Sequence, residues 1–99
     1  MIRAYISGEM DGRPEDKERF KKAEDTLNAL GIETVNPAEI FKDDKLLGYA
    51  GVLLFDIWLI SGCNAIYMLP DWKESRKARA EKAFAEAIGL CVMYDKGSV

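Results

Sequence analysis

Four short runs of β-forming residues, at 2–7, 32–35, 65–69 and 91–94, are separated by three segments of helical pattern, and this alternation limits the fold more than anything else in the chain. Strand and helix taken in turn predict parallel strands joined by right-handed crossovers, hence an α/β fold. The expected architecture is a small three-layer sandwich on a parallel sheet of four to five strands. A flavodoxin- or Rossmann-like order, 2-1-3-4, brings the loops after strands 1 and 3 and the N-terminus of the last helix to one edge, where such sheets hold ligands. A chain of 99 residues has room for one core, so 1–99 is expected to be a single domain.

The connecting segments carry their own signals. The first helix is predicted over 14–30, with Pro14 in its first turn, an apolar face of Phe20, Ala23, Leu27 and Leu30, and Gly31 as its stop. The mixed charges at 15–22 read as its solvated side. Asn36-Pro37 ends the second strand, because the residue before proline avoids the helical region. Residues 46–61 read as a helix apolar nearly all round, with Asp56 as the one charge between Leu46 and Asn64. One face can cover the sheet; an apolar surface as large as the other is seldom left in water. A homo-oligomer is therefore expected, packed through the surface that starts at Leu46 and ends at Ile60, with Gly48 and Gly51 allowing close approach. Asp56 in such surroundings must reach water, find a donor or lose its charge.

In the last helix Ala80, Ala83, Phe84, Ala87 and Ile88 recur at helical spacing and are the expected core face. Glu81 lies about 100° round from Ala80, at the edge of that stripe. Ser75 falls at the helix N-terminus, where a hydroxyl and free backbone N–H groups can hold an anion. Taken alone, these residues have a plain reading as well: Glu81 with Lys77 and Lys82 with Glu86 as i,i+4 surface pairs, and Asp71 with Glu74 as a capping box.

Composition excludes several classes. Hydrophobic residues are 48% and charged residues 31%, the balance of an ordinary soluble protein. A net charge of −3 is wrong for a protein that grips a nucleic-acid polymer, and no stretch is long enough to span a membrane. The start lacks a secretory pattern, which makes the cytoplasm the expected location. Cys63 and Cys91 form no CxxC or metal-ligand pattern and histidine is absent, so no metal or other cofactor is implied and both thiols are expected to be buried. Without histidine, any acid–base chemistry falls to carboxylates, tyrosine, lysine or cysteine.

Three motifs then act together: YISGEMDG at 5–12, NPAE at 36–39 and DIWLISGCNAIYMLPDWKESRKARAE at 56–81. They resemble the small, phage-type domains of unassigned function (DUF4406-like) grouped with the nucleoside 2-deoxyribosyltransferase-like superfamily, and the resemblance covers nearly the whole chain. It implies cleavage of the N-glycosidic bond of nucleosides or their 5′-monophosphates, or deoxyribosyl transfer, through a glutamate nucleophile. Carried over by position, it makes Glu81 the nucleophile, Tyr5 the group that positions it, and Asp56 the carboxylate near the base or the 2′-carbon; with histidine absent, Asp56 is also the candidate acid for the leaving base. Gly8 and Met10 fall in the loop near the sugar, Ser75 matches a phosphate-binding serine, and Trp72 either stacks on a base or covers the strand end. Lys77 stands where the family pattern favours glycine, and Asn64 where it favours aspartate. With Arg76 or Arg79, Lys77 either strengthens a phosphate site or fills space meant for substrate. The implied partner is a small nucleoside or nucleotide. A module that binds such a ligand without turning it over, and an oligomeric accessory protein acting through the 46–60 surface, are the rival readings.

Overall fold

The computed structural model describes residues 1–40 and 42–96. In chain order its elements are β1 (Arg3–Ser7), α1 (Pro14–Ala29), β2 (Glu33–Val35), a 3-10 turn (Pro37–Glu39), α2 (Asp44–Ser61), β3 (Ala65–Met68), a second 3-10 turn (Trp72–Glu74), α3 (Arg76–Ala87) and β4 (Cys91–Tyr94). The four strands form one parallel sheet in the order β2-β1-β3-β4, as expected from the sequence.

Both faces of this sheet are covered, and the pleat decides which residue goes where. Ala4 and Ile6 of β1, with Ala65 and Tyr67 of β3, join Phe20, Ala23 and Leu27 of α1 in one apolar layer. The alternate residues, Tyr5 with Ile66 and Met68, join Ile60 of α2 and Ala78 and Ala85 of α3 in the other. The chain reverses direction across the sheet between β2 and β3. Right-handed crossovers therefore put α1 on one face and α2 with α3 on the opposite one.

Several details depart from the sequence reading for identifiable reasons. Helix α1 stops at Ala29, so Leu30 becomes its C-cap and is 69% exposed. The charges of α1 are not all solvated. Asp16 is buried, and one of its oxygens accepts the backbone N–H groups of Asp11, Gly12 and Arg13 at 2.9–3.1 Å. Arg19 joins the other oxygen of Asp16 to Asp71 and to the Glu9 carbonyl, which ties the loop after β1 to the loop after β3. Asp71 is thus engaged with α1 and the loop after β1, and makes no side-chain cap of its own turn. Asn64 spends its carboxamide oxygen on the Arg3 N–H at the start of β1. Cys63 is buried, but Cys91 lies on β4, an edge strand, and is exposed. Tail residues 97–99 lie outside the described ones, as does Phe41; Asp95 is still held by its N–H on the Met68 carbonyl.

Helix α2 is broken at Gly48, whose backbone (φ 68°, ψ 178°) is one that side-chain-bearing residues rarely adopt. The turn before the break and the long helix after it leave Leu46, Tyr49, Leu54 and Trp58 exposed, at 81%, 50%, 67% and 68%. Only Asp56 and Ile60 of this helix are fully buried. Among the described residues no helix is long and apolar enough to cross a membrane.

Gly8 shows how tightly β1 leaves the sheet. A Cβ there would meet the Leu69 side chain at 2.8 Å, closer than van der Waals contact allows. Gly8→Val is expected to destabilise the protein by about 1–3 kcal/mol through overpacking, read as a lower urea midpoint at unchanged slope. An unchanged midpoint would show that Leu69 moves aside freely.

Candidate active site

A cavity of about 870 Å³ opens beyond the carboxyl ends of β1 and β2. The loop after β1 supplies Glu9, Met10 and Gly12 to its wall, the first 3-10 turn Pro37 to Glu39, the break in α2 Gly48, Tyr49 and Val52, and the start of α3 Ser75 to Lys77. Its volume suits a ligand of nucleotide size, and its position is the switch in strand order where open α/β sheets bind ligands. Charges on the wall are balanced: Lys17, Lys42, Arg76 and Lys77 against Glu9, Glu39, Asp44 and Glu74.

Two buried carboxylates lie behind the cavity wall, joined to it through Lys42 and Lys77. Glu81 of α3 is 1% exposed and Asp56 of α2 is 0% exposed. The buried face of α3 is Ala78, Glu81 and Ala85, one step round from the stripe expected from sequence; Ala83, Ala87 and Ile88 are exposed. Glu81 can occupy that face because β1 meets it with two hydroxyls. Tyr5 Oη donates to Glu81 Oε2 at 3.2 Å, and Ser7 Oγ donates to Oε1 at 2.7 Å. Tyr5 and Ser7 are two apart on one strand, so the pleat aims both at α3.

Lysines complete the arrangement. Lys77 Nζ stands 2.7 Å from Asp56 Oδ2 and 3.6 Å from Glu81 Oε2, and Lys42 Nζ stands 3.2 Å from Asp56 Oδ1. Among the described residues, every buried side-chain nitrogen and oxygen has a partner. Two ammoniums alternate with two carboxylates in a region with little water, which is how buried charges are tolerated.

Electrostatics separates the roles of these groups. Burial pushes the Glu81 carboxyl from the usual carboxylate range to about 7; Lys77 and the Ser7 hydrogen bond oppose that rise, and Asp56 adds to it. Burial also raises the Tyr5 phenol well above its usual value, with the charges of Glu81 and Asp56 adding to the effect, so Tyr5 stays a proton donor in the hydrogen bond. Burial works against the Lys77 ammonium, yet Glu81 and Asp56 outweigh it and raise its pKa. A carboxyl poised near neutrality by burial and a specific charge partner is a recognised mark of a reactive group.

The nine residues singled out from sequence fall into three sets. Glu81, Asp56 and Tyr5 come together behind the cavity wall, while Met10, Ser75 and Lys77 line the cavity. Gly8, Trp72 and Arg79 are not on its wall. Gly8 is packed against Leu69, and the Trp72 ring lies 6.2 Å from Tyr94 on β4 with the Lys82 ammonium over it. Arg79 donates to the Lys73 carbonyl. Trp72 thus covers the strand end, the second of its two expected roles, and Arg79 braces the second 3-10 turn. Ser75 caps α3 by accepting the Ala78 N–H at 3.0 Å. Two members were not picked out from sequence. Ser7 had a legible signal in its period-two spacing from Tyr5, and Lys42 had none, being 14 residues from Asp56 in a polar loop.

The fold is a parallel α/β sandwich with a cavity beyond its strand ends. The chain belongs to the family described as a domain of unknown function (DUF4406), whose model matches residues 2–94. Among solved structures it is similar to the CMP N-glycosidase BcmB of Clostridium botulinum, with a TM-score of 0.58 and 17% sequence identity over 93% of this chain. The match spans 66% of that enzyme's chain, just under two thirds of its length. No curated sequence matches significantly.

Proposed function

We propose that the protein cleaves the N-glycosidic bond of a nucleoside or nucleoside 5′-monophosphate, with Glu81 as the nucleophile. The observation that carries this reading is Glu81 itself: a carboxyl buried behind the wall of a nucleotide-sized cavity, held by Tyr5 and Ser7 and poised near pH 7. In outline a Glu81 oxygen attacks the anomeric carbon, and the bonding pair of the N-glycosidic bond leaves with the base, which takes up a proton from water. A second water then hydrolyses the glycosyl ester and frees Glu81. A second base in place of that water would make the reaction a transfer. Tyr5 and Ser7 fix the carboxylate, so the geometry is preorganised. Asp56 accepts from two ammoniums, which suits an anchor for Lys42 and Lys77 rather than a proton donor to the base. The structural likeness to a CMP N-glycosidase supports nucleotides as the first substrates to test. Incubation with the ribo- and deoxyribonucleosides of cytosine, uracil, adenine and guanine and their 5′-monophosphates, followed by chromatography, should show a free base, cytosine being the first to look for; intact substrate throughout the panel would overturn the reading in favour of a binding module.

We also infer that α2 packs against a second copy of the chain, because Leu54 and Trp58, one turn apart on it, are both exposed. Light scattering at micromolar concentration should give a mass at least twice 11.1 kDa, and Trp58→Glu should reduce it to the monomer's. A monomeric wild type would remove this inference.

A further inference from the structure

We propose that Lys77 makes the site selective for a 5′-phosphorylated nucleoside over the free nucleoside: its ammonium covers Glu81 and Asp56 until a phosphate in the cavity draws it away. This inference rests on the reading of Glu81 as the nucleophile. Its starting point is a steric conflict. A reacting carbon must come to about 3–3.5 Å from the attacking oxygen. In the structure Lys77 Nζ already stands 3.6 Å from Glu81 Oε2, and it is Lys77, not Glu81, that faces the cavity. The sugar therefore cannot reach Glu81 while Lys77 stays where it is.

The same contacts say what can move it. Lys77 Nζ is 2.7 Å from Asp56 Oδ2, so leaving means giving up two buried carboxylate partners. A neutral nucleoside offers nothing in exchange, whereas a phosphate is a stronger acceptor for a displaced ammonium. The place for it is close by. Lys77 rises from the first turn of α3, where the N–H groups of Arg76 and Lys77 have no place in the helix's own hydrogen-bond ladder. The Arg76 guanidinium lies 5.0 Å from the Tyr49 ring and on the cavity wall, and Lys17 stands on that wall as well. Neither makes a salt bridge among the described residues. The lysine stem is flexible, so a swing of the ammonium from the floor to the wall needs no backbone change. Asp56 keeps Lys42 as its counter-ion throughout.

Two measurements test this, one by turnover and one without it. With cytidine and cytidine 5′-monophosphate as probes, wild type is expected to favour the phosphate by about 100-fold or more in kcat/KM. Lys77→Gly is expected to bring the two within about 10-fold, chiefly by cleaving the free nucleoside faster. A preference unchanged in Lys77→Gly would overturn the proposal. Independently of any reaction, the Glu81 carboxyl can be followed by NMR in protein labelled at the glutamate side-chain carbon. Ribose 5-phosphate should raise the pH at which Glu81 titrates, because its ammonium neighbour has left; ribose should not, and Lys77→Met should give no response to either sugar. Absence of any response to ribose 5-phosphate in wild type overturns the proposal. If no substrate is cleaved yet this response is seen, the glycosidase reading fails while the exchange of Lys77 stands as the device of a binding site.

Discussion

Glu81→Gln is expected to abolish base release, lowering kcat/KM by about 10³-fold or more, while the protein stays folded. The amide keeps the volume and a hydrogen-bond acceptor for Tyr5 or Ser7 but has no charge with which to attack or to stabilise an oxocarbenium-like sugar. The pH dependence gives a second, linked expectation. Only the ionised carboxylate attacks, so wild-type kcat/KM, which reports the free enzyme, should rise with pH and level off above about 7, the value to which burial brings Glu81. Stability should run the opposite way. The unfolded chain gives up this proton near the ordinary value of 4.5, whereas the folded protein keeps it to about 7. Between those values the folded state binds more protons. The contribution is thus fully present below pH 4.5 and is lost as pH rises through 7, amounting to about 3 kcal/mol at most. The window is unusually clean because the chain has no histidine. Urea midpoints for wild type should fall between pH 5 and 8 and those for Glu81→Gln should stay nearly level. Parallel curves for the two proteins would show that Glu81 titrates as it does in the unfolded chain, and retained activity in Glu81→Gln would remove it as nucleophile.

The fold was legible because its signals are local and repeated. Gly and Pro punctuate each connection, and strands buried on both faces leave β-rich runs that cannot be mistaken for loops. The face of α3 was harder to read. Its periodicity was carried mostly by alanines, whose small side chains fit a buried or an exposed face alike, so the stripe at Ala80, Ala83 and Ala87 competed on equal terms with Ala78 and Ala85. What selects the true face is Glu81 itself, through partners on β1 that lie 74 and 76 residues away. Glu81 stands out at the edge of a helical stripe and Asp56 as the one charge of an apolar helix, while Tyr5 entered through a resemblance of motifs; their convergence depends on the order of the sheet. Lys42 could not be found at all, since a lysine in a polar loop looks solvated until α2 places Asp56 beside it. For Trp72 the sequence left two roles open, and the 3-10 turn at Trp72–Glu74 carries it to the β4 side of the sheet end.

Asp56→Ala is expected to destabilise the protein by about 3 kcal/mol, the largest loss from any single truncation behind the cavity wall. The cost comes less from the missing attraction than from what is left behind. Lys77 still has Glu81 within reach, but among the described residues Lys42 retains only the Pro37 carbonyl at 3.3 Å, and its side chain is 7% exposed. An ammonium so placed must drag water inward or lose its proton, and either outcome opens the wall of the cavity. If this is the cause, removing the stranded charge should recover part of the loss. Lys42→Met in the Asp56→Ala background should cost less than Lys42→Met alone, with a coupling of about 1–2 kcal/mol in a double-mutant cycle. Urea unfolding of the four proteins measures it directly, since a domain of this size has roughly 5–15 kcal/mol to lose and the variants remain folded at the start of the titration. Additive losses would mean that Lys42 and Asp56 do not sense one another in solution. Strong coupling would instead show that the pair fixes the position of α2 against the loop before it, and so the space into which Lys77 and a ligand must fit.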